Sequence, residues 1–234
     1  GMKFRYVHVG YTDISDLKPL AGMPLETLNI WHTKIASLEP LKGMPLVNIA
    51  MDRCPISSLK SLEGMKLETL SCPVTPISDL APLRGMPLKN LIVSQTQIDD
   101  LSPLAGAPIE SLAASTTKVS DLSPLRGSPL ASLDINLTKV ADLGPIAGCP
   151  LKKLWIRGTQ VSSLEPLKGH ALEFFSYIDT PVKDISVLEG MPITAIEVTY
   201  DEARDKSVLR RLGSLERINN VPVAEFWSKA DENK

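Results

Sequence analysis

The 234-residue sequence predicts an α/β solenoid: a right-handed coil with one parallel β-sheet on its concave face and short 3₁₀ or helical turns and loops on its convex face. Three observations predict it. The stretch 87–107, PLKNLIVSQTQIDDLSPLAGA, recurs with variations, and its first position is Pro24, Pro45, Lys66, Pro87, Pro108, Pro129, Pro150, Ala171 and Pro192, each 21 residues after the last. A fixed period of that length marks stacked repeats, each one a supersecondary unit. Inside the unit, apolar residues two apart, as at Leu91 and Val93, have strand spacing. Pro103 and Gly106 then leave room for only a short turn before the next strand. Counted this way, residues 1–2 are a tag remnant and start, 3–200 hold nine repeats and a tenth strand at 193–200, and 201–234 form a helical cap.

The strand comes first in each unit. Leu88, Leu91 and Val93 occupy slots that are apolar in every repeat, filled elsewhere by pairs such as Leu28 and Ile30, Leu133 and Ile135, and Phe175 and Tyr177. These side chains face a common core, and one strand per coil in one direction builds a parallel sheet with strands about 4.8 Å apart. A Thr slot follows, filled in eight of nine units, from Thr12 to Thr180, with Cys54 as the exception. A hydroxyl repeated at one level can stack and satisfy backbone groups where the chain leaves the strand, so the slot is structural. A nucleophile would need a base of its own, which a group recurring in nearly every coil lacks.

The turn on the back reads Asp100-Leu-Ser-Pro-Leu-Ala-Gly106. Asp100 is placed to cap the start, Pro103 is tolerated in a first turn, and Gly106 supplies a left-handed exit. With no long helix behind the sheet, the arc is expected to curve gently. A single coil buries too little apolar surface to offset the entropy of ordering it, so each coil depends on its neighbours.

The pattern LxxLxLxxTxIxxLxPL, as in Leu88-Lys-Asn-Leu91-Ile-Val93-Ser-Gln-Thr96-Gln-Ile98, resembles the leucine-rich-repeat family in its short internalin-like or SDS22-like form. The resemblance covers residues 3–200, with Thr where the family usually has Asn and a unit one residue shorter than the commonest internalin repeat. It implies a protein-binding scaffold. The PLxGMPL wording and the tail LERINNVPVAEFW also look like the C-terminal ends of large bacterial multidomain proteins, some with a serine/threonine kinase domain upstream. No kinase motif occurs in this chain, and the reading implied is an excised C-terminal region.

Past the repeats, Val208, Leu209 and Leu212 make a helical apolar stripe stopped by Gly213. Residues 215–218 read as a short strand, Asn219-Asn220 as a turn, and 224–229 as a last helix pinned by Phe226 and Trp227. The first strand, around 4–9, is expected to present an open edge.

Composition excludes several classes. A formal charge of −2 and 43% hydrophobic residues give no basic excess for nucleic acid or an anionic membrane. Neither an apolar run long enough to span a membrane nor a secretory signal follows Met2, so no membrane insertion is expected. Cys54, Cys72 and Cys149 sit in three different slots, which predicts reduced buried fillers, no disulfide framework, and a cytoplasmic location over a secreted one. Phosphate-loop, GxGxxG and HExxH patterns are all missing, and His8, His32 and His170 lie in separate units. No catalytic residue, metal or cofactor is therefore expected, and the chain reads as a monomer unless its open edge pairs.

Function is left to the outward strand positions, which vary between coils. One cluster there comprises Asp134, Asn136, Trp155, Arg157 and Phe174; a secondary one comprises His8, Asn29, Trp31, His32, Asp52 and Arg53. Exposed Trp and Arg are enriched at binding hot spots, and a sheet presents them rigidly. The expected function is non-catalytic binding of a protein or peptide on the concave sheet, led by the first cluster. The alternative is a structural spacer or assembly scaffold, with Trp155 merely packed across Asp134 and Ser176 and Arg157 a solvated charge.

Overall fold

A computed structural model describes residues 4–232, so the tag remnant read at residues 1–2 lies outside the described residues. Ten strands, one per coil, stack in sequence order: β1 Tyr6–His8, β2 Thr27–Asn29, β3 Asn48–Ala50, β4 Thr69–Ser71, β5 Asn90–Ile92, β6 Ser111–Ala113, β7 Ser132–Asp134, β8 Lys153–Trp155, β9 Phe174–Ser176 and β10 Ala195–Glu197. All are paired in parallel with a 21-residue register, for example Leu91↔Leu112 and Trp155↔Ser176. Beyond β10 the sheet adds β11 (Arg217–Ile218), parallel, and β12 (Val221–Pro222), antiparallel to β11. A 3₁₀ turn follows each of the first nine strands, Ser102–Leu104 in the reference coil. The arrangement is a leucine-rich-repeat solenoid.

Each coil contributes the same slots to one continuous core. In the reference coil Leu88, Leu91, Val93, Ile98, Leu101 and Leu104 are fully buried and Ala107 packs against them. Cys54, Cys72 and Cys149 are free thiols inside that core. Burial, with Asp52 adding its negative charge, pushes the Cys72 thiol up to about 12.

Strands of three residues are short, yet the ladder between coils is longer than the strands. Ile30 N–H donates to Ala50 carbonyl at 2.8 Å, and two residues on His32 N–H donates to Asp52 carbonyl at 2.8 Å. Reaching that second bond while the chain turns away places one residue per coil in the left-handed region: Tyr11, His32, Arg53, Val74, Gln95, Thr116, Leu137, Gly158 and Asp179. Only one of the nine is glycine, although this region costs an ordinary L-residue about 1–2 kcal/mol.

The Thr slot sits just after that residue. Its hydroxyl does not form a coil-to-coil ladder; Thr96 Oγ1 donates to the Val93 carbonyl of its own coil at 2.6 Å, and Thr33 and Thr159 repeat the bond at 2.7 Å. The hydroxyl thereby closes the turn. Where Cys54 replaces Thr, its sulfur reaches instead to the Ile30 carbonyl of the preceding coil at 2.9 Å.

On the back, Asp100 acts one residue earlier than a cap. The residue flanking the turn is Leu101, without a capping side chain, and Asp100 Oδ1 accepts from Ser102 N–H at 2.7 Å while Oδ2 accepts from the Ser102 hydroxyl at 2.7 Å. Gly106 has φ +77°, the expected left-handed exit.

Helix α1 spans Glu202–Leu209, with Asp201 as N-cap accepting from Arg204 N–H at 3.0 Å. Leu212 lies beyond its end, so the apolar stripe read over three residues is split between helix and turn. Helix α2 spans Val223–Glu232, longer than 224–229, and it follows the unforeseen strand β12 directly. Tyr200 meets Phe226 and Trp227 edge-on at 5.2 and 6.0 Å, and Arg210 lies over the Trp227 ring at 4.5 Å. Asp231 accepts from Lys206 at 3.0 Å and Arg210 at 2.6 Å, which ties α2 to α1 and holds its carboxyl below the usual carboxylate range.

The joint between solenoid and α1 is polar and buried. Asp205 has no exposed surface, and its carboxylate accepts from Tyr177 Oη (2.9 Å), Arg204 Nε (2.6 Å) and Nη2 (2.8 Å), and Asp201 N–H (2.8 Å). Arg204 also donates to the Val182 and Thr199 carbonyls at 3.1 and 2.7 Å. Burial and the neighbouring carboxylate drive the Tyr177 hydroxyl far above its ordinary titration range.

Candidate functional site

Alternation along each strand sends its first and third residues to the outward face. Across coils these form rows. The row through His8, Asn29, Ala50, Ser71, Ile92, Ala113, Asp134, Trp155, Ser176 and Glu197 is registered strand by strand. A parallel row two residues earlier carries Tyr6, Thr27, Asn48, Thr69, Asn90, Ser111, Ser132, Lys153, Phe174 and Ala195. Uncharged side chains fill the middle, small except for the exposed Ile92; aromatic rings gather near both ends.

The cluster around Trp155 is assembled by β7, β8 and β9. Trp155 and Phe174 approach with ring centroids 4.7 Å apart and planes tilted by 32°, so Trp155 packs on an aromatic neighbour rather than lying across Asp134 alone. Its registered partner Ser176 is only 1% exposed, and its hydroxyl has no hydrogen-bond partner among the described residues. The polar members of the cluster are mostly engaged with the backbone. Asp134 Oδ1 accepts from Asn136 N–H at 3.0 Å, and Asn136 Oδ1 accepts from Arg157 N–H at 2.7 Å. Burial raises the Asp134 carboxyl, opposed by its bonds from Asn136 and Ser115. Arg157 is exposed, with Nε 3.8 Å from Asp179. All five expected residues thus share one region, whose exposed chemistry is two aromatic rings and the guanidinium that Arg157 shares with Asp179.

The secondary cluster is partly broken up and partly enlarged. Trp31 Nε1 donates to His8 Nε2 at 3.1 Å, and Tyr11 packs edge-on to Trp31 at 4.8 Å while stacking on His32 at 4.5 Å. Asn29 Nδ2 reaches Tyr6 Oη at 3.3 Å. Asp52 is engaged elsewhere, accepting from the Ser71 hydroxyl at 2.6 Å, and Arg53 stands exposed in its left-handed turn. Tyr6 and Tyr11, outside both expected clusters, are 55% and 66% exposed. The row of residues two before His8 contains Tyr6 and would have revealed it. Tyr11 lies outside the strand rows, in the left-handed turn at φ +58°, and meets Trp31 edge-on from there.

Elsewhere, a hollow of ≈ 520 Å³ on the turn side is lined by Glu39, Lys42, Ser58, Lys60, Ser61 and Glu63, charges of both signs. Among the described residues no group of three or more His, Cys, Asp or Glu side chains is placed to hold a metal. No helix among them is long and apolar enough to cross a membrane.

Repeat, sheet and turn together define a leucine-rich-repeat solenoid. Among solved structures it is similar to an internalin, InlF, from Listeria monocytogenes, with a TM-score of 0.81 at 24% identity, over 90% of this chain and 65% of that one. Internalin C2 of the same organism gives 0.68 at 22% identity over 83% of this chain and 80% of that chain. The functional domain of InlJ gives 0.62 at 16% over 92% and 52%. This chain therefore spans less than two thirds of the length of the first and third. At such identities the likeness is one of fold. No family model and no curated protein matches the sequence.

Proposed function

We propose that the chain is a non-catalytic binding module that takes a protein or peptide on the outward face of its sheet, anchored by Trp155, Phe174 and Arg157 with Asp134 and Asn136 beside them. One observation carries this reading. The Trp155 and Phe174 rings, with centroids 4.7 Å apart, are held side by side on neighbouring strands of one parallel ladder. Large aromatic side chains on a rigid scaffold bind with little ordering cost.

The formal charge of −2 gives nucleic acid no electrostatic handle, and three buried thiols suit a reducing compartment. The resemblance of the tail to C-terminal ends of large bacterial proteins supports a place beside another domain. The uncharged middle of the sheet, Ser94, Ala113 and Ser115, favours the second reading, a spacer.

A photo-crosslinking residue at Ala113, compared with one at Lys60 on the opposite side, separates the two. Binding on the sheet predicts adducts from the Ala113 position alone, reduced roughly tenfold or more by Trp155→Ala with Arg157→Ala. Equal adducts after those substitutions, with an unchanged melting midpoint, refute the anchor; adducts from neither position favour the spacer.

A further inference from the structure

The aromatic group on the first two coils contains a hydrogen bond that exists in only one protonation state. An indole N–H donates and cannot accept. Trp31 Nε1 sits 3.1 Å from His8 Nε2, so that nitrogen must be the bare acceptor of a neutral imidazole. The proton of the neutral ring is then on Nδ1, which faces Tyr6 Oη at 3.4 Å, and the same oxygen accepts from Asn29 Nδ2 at 3.3 Å. All three contacts are satisfied by one tautomer.

We propose that His8 is an acid-sensitive latch for the aromatic face of the first two coils: protonation at Nε2 sets two donors against each other and releases Trp31 from its seat. The seat is built for that ring. A Cβ on Gly10 would fall inside the Trp31 indole, so the tryptophan lies directly on the Gly10 backbone. Trp31 in turn carries Tyr11, which stacks on His32, so moving the indole uncouples rings on two coils.

The groups facing His8 are Tyr6 on its own strand and Trp31 and Asn29 on the second coil. His32 is the other titratable imidazole and contacts Tyr11 and Trp31. Charged residues on the same elements are paired among themselves: Arg5 with Glu26 at 3.0 Å and Lys34 with Asp13 at 2.8 Å; on the third coil Asp52 takes the Ser71 hydroxyl. No carboxylate among the described residues is bonded to His8 to hold an added proton. The closed face therefore belongs to the neutral ring and opens when acid adds the second proton, because an imidazolium has only donors to offer.

The test follows the Trp31 indole N–H resonance in the full chain, assigned by its loss in Trp31→Phe. Corrected for the intrinsic pH dependence of exchange, its exchange should quicken about tenfold between about pH 8 and 5, the factor that one hydrogen bond contributes. His8→Gln keeps an acceptor without a titrating group and should leave the resonance insensitive to pH. Gly10→Ala should give the released spectrum at every pH, and His32→Gln should leave the transition in place. An indole resonance that is unmoved across the range in the parent chain overturns the latch. So does a transition that survives His8→Gln or vanishes with His32→Gln.

Discussion

Asp205→Ala tests whether the joint between the last coil and helix α1 is held by charge. The carboxylate is wholly buried and accepts four hydrogen bonds, from Tyr177, twice from Arg204 and from Asp201 N–H. Removing one partner of a buried ion pair leaves the other uncompensated and costs about 3–5 kcal/mol. Arg204 retains the Val182 and Thr199 carbonyls, which places the expected loss at the lower end, near 3 kcal/mol. Tyr177→Phe removes one bond to a charged acceptor and opens no cavity, so about 1.5–3 kcal/mol is expected. Because both substitutions share that bond, the double variant should fall short of their sum. Urea unfolding followed by far-UV circular dichroism reads all three. The loss should appear as an early phase in which the C-terminal coils melt, since a solenoid is held coil by coil. An Asp205→Ala variant within about 1 kcal/mol of the parent, or fully additive substitutions, would refute a charge-held joint.

Other outcomes follow from the turns and the core. Val74 is a β-branched residue at φ +57°, so Val74→Asn should raise stability by about 1 kcal/mol and the melting midpoint by about 2–4 °C; a lower midpoint contradicts the strain. Asp100 and Asp184 are held below the usual carboxylate range first by the Ser102 and Ser186 N–H groups and then by their hydroxyls, Asp121 first by the Ser123 hydroxyl and then its N–H. A depressed folded value means the stabilisation is present above the unfolded carboxylate value, about 3.9, and is lost as pH falls through the folded one. Asn at all three positions should flatten the fall in urea midpoint below about pH 4, and an unchanged slope would count against these bonds. The three buried thiols should resist a disulfide reagent at neutral pH and react together on unfolding, because the thiolate is the reactive form and burial disfavours it at Cys72. Stoichiometric labelling of the folded chain would show the core open.

Legibility varied with how local each cause was. Leu91 and Val93, Pro103 and Gly106 declare strand and turn through their own periodicity and φ preferences, and the parallel sheet follows from repetition. Residue type hid the left-handed row: eight of its nine members are not glycine, because a bond to the next coil, to the Thr199 hydroxyl for Asp179 and to a backbone carbonyl for the others, holds each in place whatever its intrinsic preference. Asp205 was equally silent. In sequence it is one acidic residue in a charged helix, and only the approach of Tyr177, 28 positions earlier, makes it the buried centre of the joint.

For the candidate sites, naming Trp155, Arg157 and Phe174 required only counting outward positions, since a fixed period assigns every residue a row. Pairing within those rows was decided by side-chain packing between coils, which periodicity does not encode. It sets Trp155 against Phe174, turns Asp52 toward Ser71, and lays Trp31 on Gly10 against His8. By itself, then, the sequence determined the solenoid, because apolar spacing and turn residues act within one coil and repeat. Tertiary structure alone decided which exposed groups touch, because those contacts join neighbours 19 to 23 residues apart whose rotamers depend on each other.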